Sequence, residues 1–133
     1  MNKHEIKDKL FKKGLKHYRI NEFYEADEAW EDLWYDYNLE DKKFIQGLIQ
    51  LSVSFVHLGN NNLNGARSLL KKCNKKFENY SGIHRGIDVD LLLKKMFQKN
   101  WILFFEHDPY FQACTIDWDG YKYKMKNSVG ISE

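Results

Sequence analysis

Phe23-Tyr24-Glu25-Ala26-Asp27-Glu28-Ala29-Trp30-Glu31-Asp32-Leu33-Trp34-Tyr35-Asp36-Tyr37 decides the fold class. Phe23, Ala26, Trp30, Leu33, Trp34 and Tyr37 recur at steps of three and four, a spacing that gathers them into one stripe on an α-helix. Glu25, Glu28, Asp32 and Asp36 fall largely away from that stripe. Asp27 stands at its border, and Glu31 lies one turn further along the same flank. Asn21 occupies the place of an N-cap, so this segment predicts a helix over about Glu22 to Tyr37.

The next segment downstream is apolar almost all round. Phe44, Ile45, Leu48, Ile49, Leu51, Val53, Phe55 and Val56 predict a central buried helix over about Asp41 to Leu58, with Asp41 or Glu40 near its start. Its few polar residues are aligned: Gln46, Gln50 and His57 recur at steps of four and seven, with Ser54 beside them. Gly59-Asn60-Asn61-Asn62 ends the helix by turn chemistry. A fourth helix follows from about Leu63 to Phe77, with Leu63, Ala66, Leu70, Cys73 and Phe77 inward and Arg67, Lys71, Lys72, Lys75 and Lys76 outward. Gly65 and Ala66 are small enough to admit a neighbouring helix. Asn79 to Gly86 reads as loop. Asp88 then reads as the N-cap of a fifth helix carrying Val89, Leu92, Leu93, Met96 and Phe97, extending through Trp101 towards Phe105. Upstream, Ile6, Leu10 and Phe11 mark one face of a first helix over about His4 to His17.

After Pro109 the pattern changes. Thr115 to Trp118, Asp119-Gly120 and Tyr121 to Lys124 read as two extended segments around a tight turn. The reading is therefore all-α: a compact array of about five helices over residues 1–110, with a short extended tail or hairpin over 111–126 packed on it and a disordered end over 127–133.

The composition bounds the function. The 133 residues are 43% hydrophobic and 16% aromatic, enough for one domain with a core of its own. Lysines and arginines number 21 against 19 acidic residues, a net charge of +2. Only Arg19, Arg67 and Arg85 are arginine, so bulk charge and forked phosphate recognition both argue against a nucleic-acid partner. The most apolar stretch, Phe44 to Leu58, is too short and too polar for a membrane span. Cys73 and Cys114 form neither a zinc pattern nor a disulfide framework. A reducing compartment is expected: the cytoplasm, or the plastid stroma for a plastid-encoded chain.

Several segments in order carry a resemblance. Phe23 to Trp34, Gln46-Gly47-Leu48-Ile49-Gln50-Leu51 through His57, Gly59-Asn60 with Gly65-Ala66 and Leu69-Leu70, and Gly86-Ile87-Asp88-Val89 resemble the small helical family known as domain of unknown function 309. The resemblance covers about Leu10 to Leu93 and implies a compact multi-helical fold. It implies no established activity. In that family the second helix usually reads His-Glu-x-x-Glu-x-x-Trp; here Asp27 stands at the histidine's place, followed by Glu28, Glu31 and Trp34.

The sharpest constellation is Asp27, Glu31, Gln46, Gln50 and His57. Asp27 and Glu31 share one side of the second helix, and the glutamines and His57 share one side of the third. If the two sides face each other, Asp27, Glu31 and His57 are the ligands to expect for a divalent metal, since carboxylates with one imidazole suit Mg, Mn, Fe or Zn. The same groups suit a hydrolase-like acid–base site. A hydrogen-bonded inter-helix network is the commoner use of such groups. Trp30 and Trp34 fit a core rather than a ligand pocket, and His84-Arg85 is a short polar pair in a loop. Two functions follow. The first is a non-catalytic binding or interaction domain for a protein partner or small ligand, including a homo-oligomer, with Trp118, Tyr121 and Tyr123 as contacts. The second is an enzyme or metal-binding protein using Asp27, Glu31 and His57.

Overall fold

The computed structural model describes residues 1–98. Its elements are α1 (Lys3–Arg19), α2 (Phe23–Asp36), α3 (Lys42–Gly59), α4 (Leu63–Phe77), β1 (Ile83–His84), β2 (Ile87–Asp88) and α5 (Val89–Gln98). The expected all-α array is present, and each of the first four helices packs on the next in sequence. The expected hairpin over Thr115 to Lys124, the extension of α5 to Phe105, the aromatic contacts Trp118, Tyr121 and Tyr123, and the end over 127–133 lie outside the described residues.

α3 is the middle of the array and packs against both α2 and α4. Phe44, Ile45, Leu48 and Leu51 are fully buried along it, meeting Trp30 and Leu33 of α2 and Leu70 and Phe77 of α4 in one core. The helix is not apolar on every side in effect, because Ile49, Val53 and Val56 are only half-buried. Close approach between helices is set by two glycines. A Cβ at Gly47 would fall 2.9 Å from the Phe77 ring, and one at Gly14 would fall 2.5 Å from Trp30 Cδ1. The missing Cβ at Gly14 lets the indole lie on α1, where Trp30 Nε1–H donates to the Phe11 carbonyl at 3.1 Å. This bond satisfies a donor that burial would otherwise leave without water. Gly65 does not serve helix contact as expected: a Cβ there would meet the side chain of Asn62, the residue that caps α4.

α2 and α3 are antiparallel neighbours, as a short connection requires. At one end the Phe23 ring stacks on Phe55 with centroids 4.7 Å apart. At the other, Trp34 Nε1–H donates to the Lys42 carbonyl at 3.1 Å. The helix ends follow capping chemistry in part. Asn2, Asn62 and Asp88 accept the amide three residues on, from Glu5, Gly65 and Leu91. Asn21 does not cap α2. It adopts a left-handed φ of 65° in the turn after α1, and the cap position falls on Glu22 without a side-chain bond.

The segment read as loop contains a minimal hairpin. Ile83 pairs with Asp88 and His84 with Ile87, antiparallel, around Arg85 and Gly86. Both turn residues have positive φ, 51° and 77°, the signature of a two-residue type I′ turn. Among the described residues, no helix is long and apolar enough to cross a membrane.

Candidate functional site

Phe23 lies against Phe55 and Trp34 against Lys42, which fixes the level of every residue between them. Asp27 comes level with Gln50, and Glu31 with Gln46. His57 falls beyond the start of α2, past Phe55. There it approaches the turn that follows α3, with Asn62 Nδ2 3.3 Å from its Nδ1. The five expected residues are therefore brought together only in part. Asp27 and Glu31 adjoin on α2, Gln50 and Gln46 share their levels, and His57 turns to its own helix end. Among the described residues no three of His, Cys, Asp and Glu gather as a metal ion would need, so Asp27, Glu31 and His57 do not make a three-ligand site.

Asp27 is nonetheless unusual. It is 8% exposed, and its Oδ1 is buried without a hydrogen-bond partner, as is Oε1 of Gln50. Its carboxyl is pushed up to about 8, first by burial, then by a hydrogen bond and like charge from Glu31, then by the charge of Glu28. A carboxyl in that state is protonated near neutrality and offers an O–H to a neighbour instead of a negative charge.

A second polar cluster joins parts distant in sequence. Asp41, at the start of α3, receives His84 Nε2 at 2.8 Å, Arg85 Nη2 at 2.9 Å and Arg85 Nε. The forked guanidinium on a carboxylate is the geometry that arginine suits best. Burial alone would raise the Asp41 carboxyl, but the hydrogen bonds and charges of Arg85 and His84 outweigh it and hold it below the usual carboxylate range. Arg85 also lies 4.9 Å over the Phe11 ring, and His84 packs edge-on to Phe44. The hairpin is thereby stapled to α1 and α3 at once. The cluster opens on a cleft of about 1010 Å³ that His4, Lys7, Glu40 and Tyr80 also line. Sequence reasoning noted His84-Arg85 only as a weak loop pair. Its partner stands more than forty residues away, and nothing local announces it.

The outer face of α2 is the third feature. Tyr24 and Tyr35 are 59% and 70% exposed, and Glu28, Asp32 and Asp36 are exposed around them. The helix carries six carboxylates, Glu25, Asp27, Glu28, Glu31, Asp32 and Asp36, and no cation. None of them makes an ion pair among the described residues. α4 is its opposite. Arg67, Lys71, Lys72, Lys75 and Lys76 are its charged residues, with no acid among them. The aromatic part of the α2 face was visible in the sequence as two tyrosines off the apolar stripe, eleven positions apart, on one side of the helix.

No curated protein and no solved structure matches the chain. Residues 11–69, which hold most of α1, all of α2 and α3 and the first turns of α4, match the family model described as Domain of unknown function (DUF309), so the resemblance carried by the motifs holds over that segment.

Proposed function

We propose that the protein is a non-catalytic binding domain whose contact surface is the outer face of α2 and whose partner presents a basic surface. The observation that carries this reading is the exposure of Tyr24 and Tyr35 among carboxylates that have no ion-pair partner among the described residues. Tyrosine supplies large contact area at a low entropic cost, with a hydroxyl that stays wet until a partner arrives. The surrounding carboxylates steer and select a cationic partner more than they add affinity.

The other polar features favour structure. Asp41 is engaged by Arg85 and His84, Asp8 by Lys12, and Lys7 by the Asn38 carbonyl. A second reading, a metal-binding or hydrolase-like protein, has one observation in its favour: the raised carboxyl of Asp27, whose buried Oδ1 has no hydrogen-bond partner. Among the described residues, no third ligand gathers beside Asp27 and Glu31. A reducing compartment, the cytoplasm, belongs to the same proposal, since Cys73 is a buried free thiol whose proton burial holds firmly.

The test is a titration of isotope-labelled protein with an amphipathic lysine-bearing helical peptide, followed by amide chemical shifts. Shifts centred on Tyr24, Glu28, Asp32 and Tyr35 are expected. Shifts confined to the Asp41–His84–Arg85 cleft, or none, would overturn the reading.

A further inference from the structure

We infer that the cleft beside the hairpin is a binding site for a small zwitterion that carries a flat ring, the chemistry of a free aromatic α-amino acid. The site shares no residue with the outer face of α2, so either reading can fall without the other. Parts of the chain distant in sequence meet in it: the first turns of α1, the connection between α2 and α3, the residues after α4, and the turn of the hairpin. Its volume of about 1010 Å³ lies at the upper end of the roughly 300–1,000 Å³ that small-molecule sites occupy.

The charges that line the cleft divide into those the chain uses internally and those it does not. The carboxylates are Asp8, Glu40 and Asp41, and the fixed cations are Lys7 and Arg85. Asp8 is paired with Lys12 at 2.9 Å, and Asp41 with Arg85. That leaves Lys7 and Glu40, and neither forms an ion pair among the described residues. Lys7 is half-buried. Its Nζ donates to the Asn38 carbonyl at 3.1 Å, a dipole that fixes the ammonium in place without neutralising it. Glu40 follows Asn38 by two residues, about 7 Å of extended chain at most, so the two open charges belong to one part of the cleft.

Two opposite charges side by side, neither paired with the other, call for a ligand that carries both in the reverse order. The carboxylate of an α-amino acid would meet Lys7 and its ammonium Glu40. A simple anion drawn by Lys7 is repelled by Glu40, and a simple cation drawn by Glu40 is repelled by Lys7, so the site selects by repulsion as well as attraction. The ring has its own surface. Tyr80 lines the same cleft and is held with its centroid 5.1 Å from Phe44 and 4.9 Å from His84, and a flat side chain packs well on such a fixed aromatic. His84 and Arg85 are tied in turn to Asp41. The walls are therefore set before a ligand arrives, and binding costs little ordering.

Amide-shift titration of the isotope-labelled full chain with L-phenylalanine, phenylpropionate and phenethylamine tests this. Phenylpropionate lacks the ammonium, and phenethylamine lacks the carboxylate. L-phenylalanine is expected to bind saturably, with shifts centred on Lys7, Glu40 and Tyr80, and each analogue to bind about tenfold or more weakly. In Glu40→Gln, L-phenylalanine should weaken to the level of phenylpropionate, while phenylpropionate itself binds no worse than to the parent. In Lys7→Gln the pattern should invert, with phenethylamine spared. Thermal melts check that both variants fold. No saturable binding of L-phenylalanine, or shifts centred elsewhere, overturns the inference. So does an analogue that binds as tightly as the amino acid, or a variant that weakens all three ligands alike.

Discussion

Asp27 is held where solvent and charge both act against an ionised carboxyl, and the consequence is a dependence of stability on pH. Its folded value, about 8, lies above the unfolded carboxyl value of 3.8. Between the two the folded chain binds more protons than the unfolded one, so stability falls as pH rises across that window. Asp27→Asn removes the titration. Near pH 8 it should be more stable than the parent by roughly 1–3 kcal/mol, allowing for solvent access around the site, and near pH 4 about equal. Urea denaturation at both ends of the window checks this, and a variant with the parent's slope would show that Asp27 is not its source. Asp41 has the opposite sign. Its depressed carboxyl contributes stability above the unfolded value and loses it as pH falls through the folded one. Arg85→Ala removes the forked pair and should cost about 2 kcal/mol at neutral pH. Arg85→Gly should cost about 1 kcal/mol less, because glycine accepts a φ of 51° that alanine resists. Thermal melts of the two variants decide it, and equal losses would mean that the turn carries no backbone strain.

Elements were legible where a periodic stripe met capping residues. α4 begins and ends as read, at Leu63 and Phe77, because Asn62 caps it and its apolar residues keep the helical step throughout. The ends of α1, α2 and α3 differ by a residue or two, where fraying and turn geometry decide. The ladder at Ile83–His84 and Ile87–Asp88 was not legible. Strands of two residues have no room for alternation, and Arg-Gly is not among the dipeptides that signal a type I′ turn. The level of Asp27 with Gln50 followed from the short α2–α3 connection, whereas the failure of His57 to join them did not. His57 shares their line on the sequence, but two more turns carry it past the end of α2. Caps give the cleanest tests at this scale. Asn62→Ala should cost about 1 kcal/mol by leaving the Gly65 amide without its acceptor. Gly14→Ala should cost more, about 1–3 kcal/mol, because the added methyl overlaps the Trp30 indole. If Gly14→Ala melts with the parent, the packing of α1 on α2 is in error; if Asn62→Ala does, the Asn62 cap contributes nothing to α4.

Across the whole molecule the net charge of +2 conceals a separation. α2 is purely acidic and α4 purely basic, with α3 between them. Composition alone argued only against nucleic acid; the sorting of charge onto different faces needed the helix order and packing. That sorting, with two tyrosines held in water on the acidic face, supports an interaction domain more than any of the buried polar groups supports chemistry. The most direct measurement is calorimetric titration of Tyr24→Ala/Tyr35→Ala with the same lysine-bearing helical peptide, beside a melt of the variant. Both rings are exposed, so stability should stay within about 0.5 kcal/mol of the parent, while affinity falls by about tenfold or more. Unchanged affinity in a variant that folds normally would contradict the assignment of α2 as the contact surface.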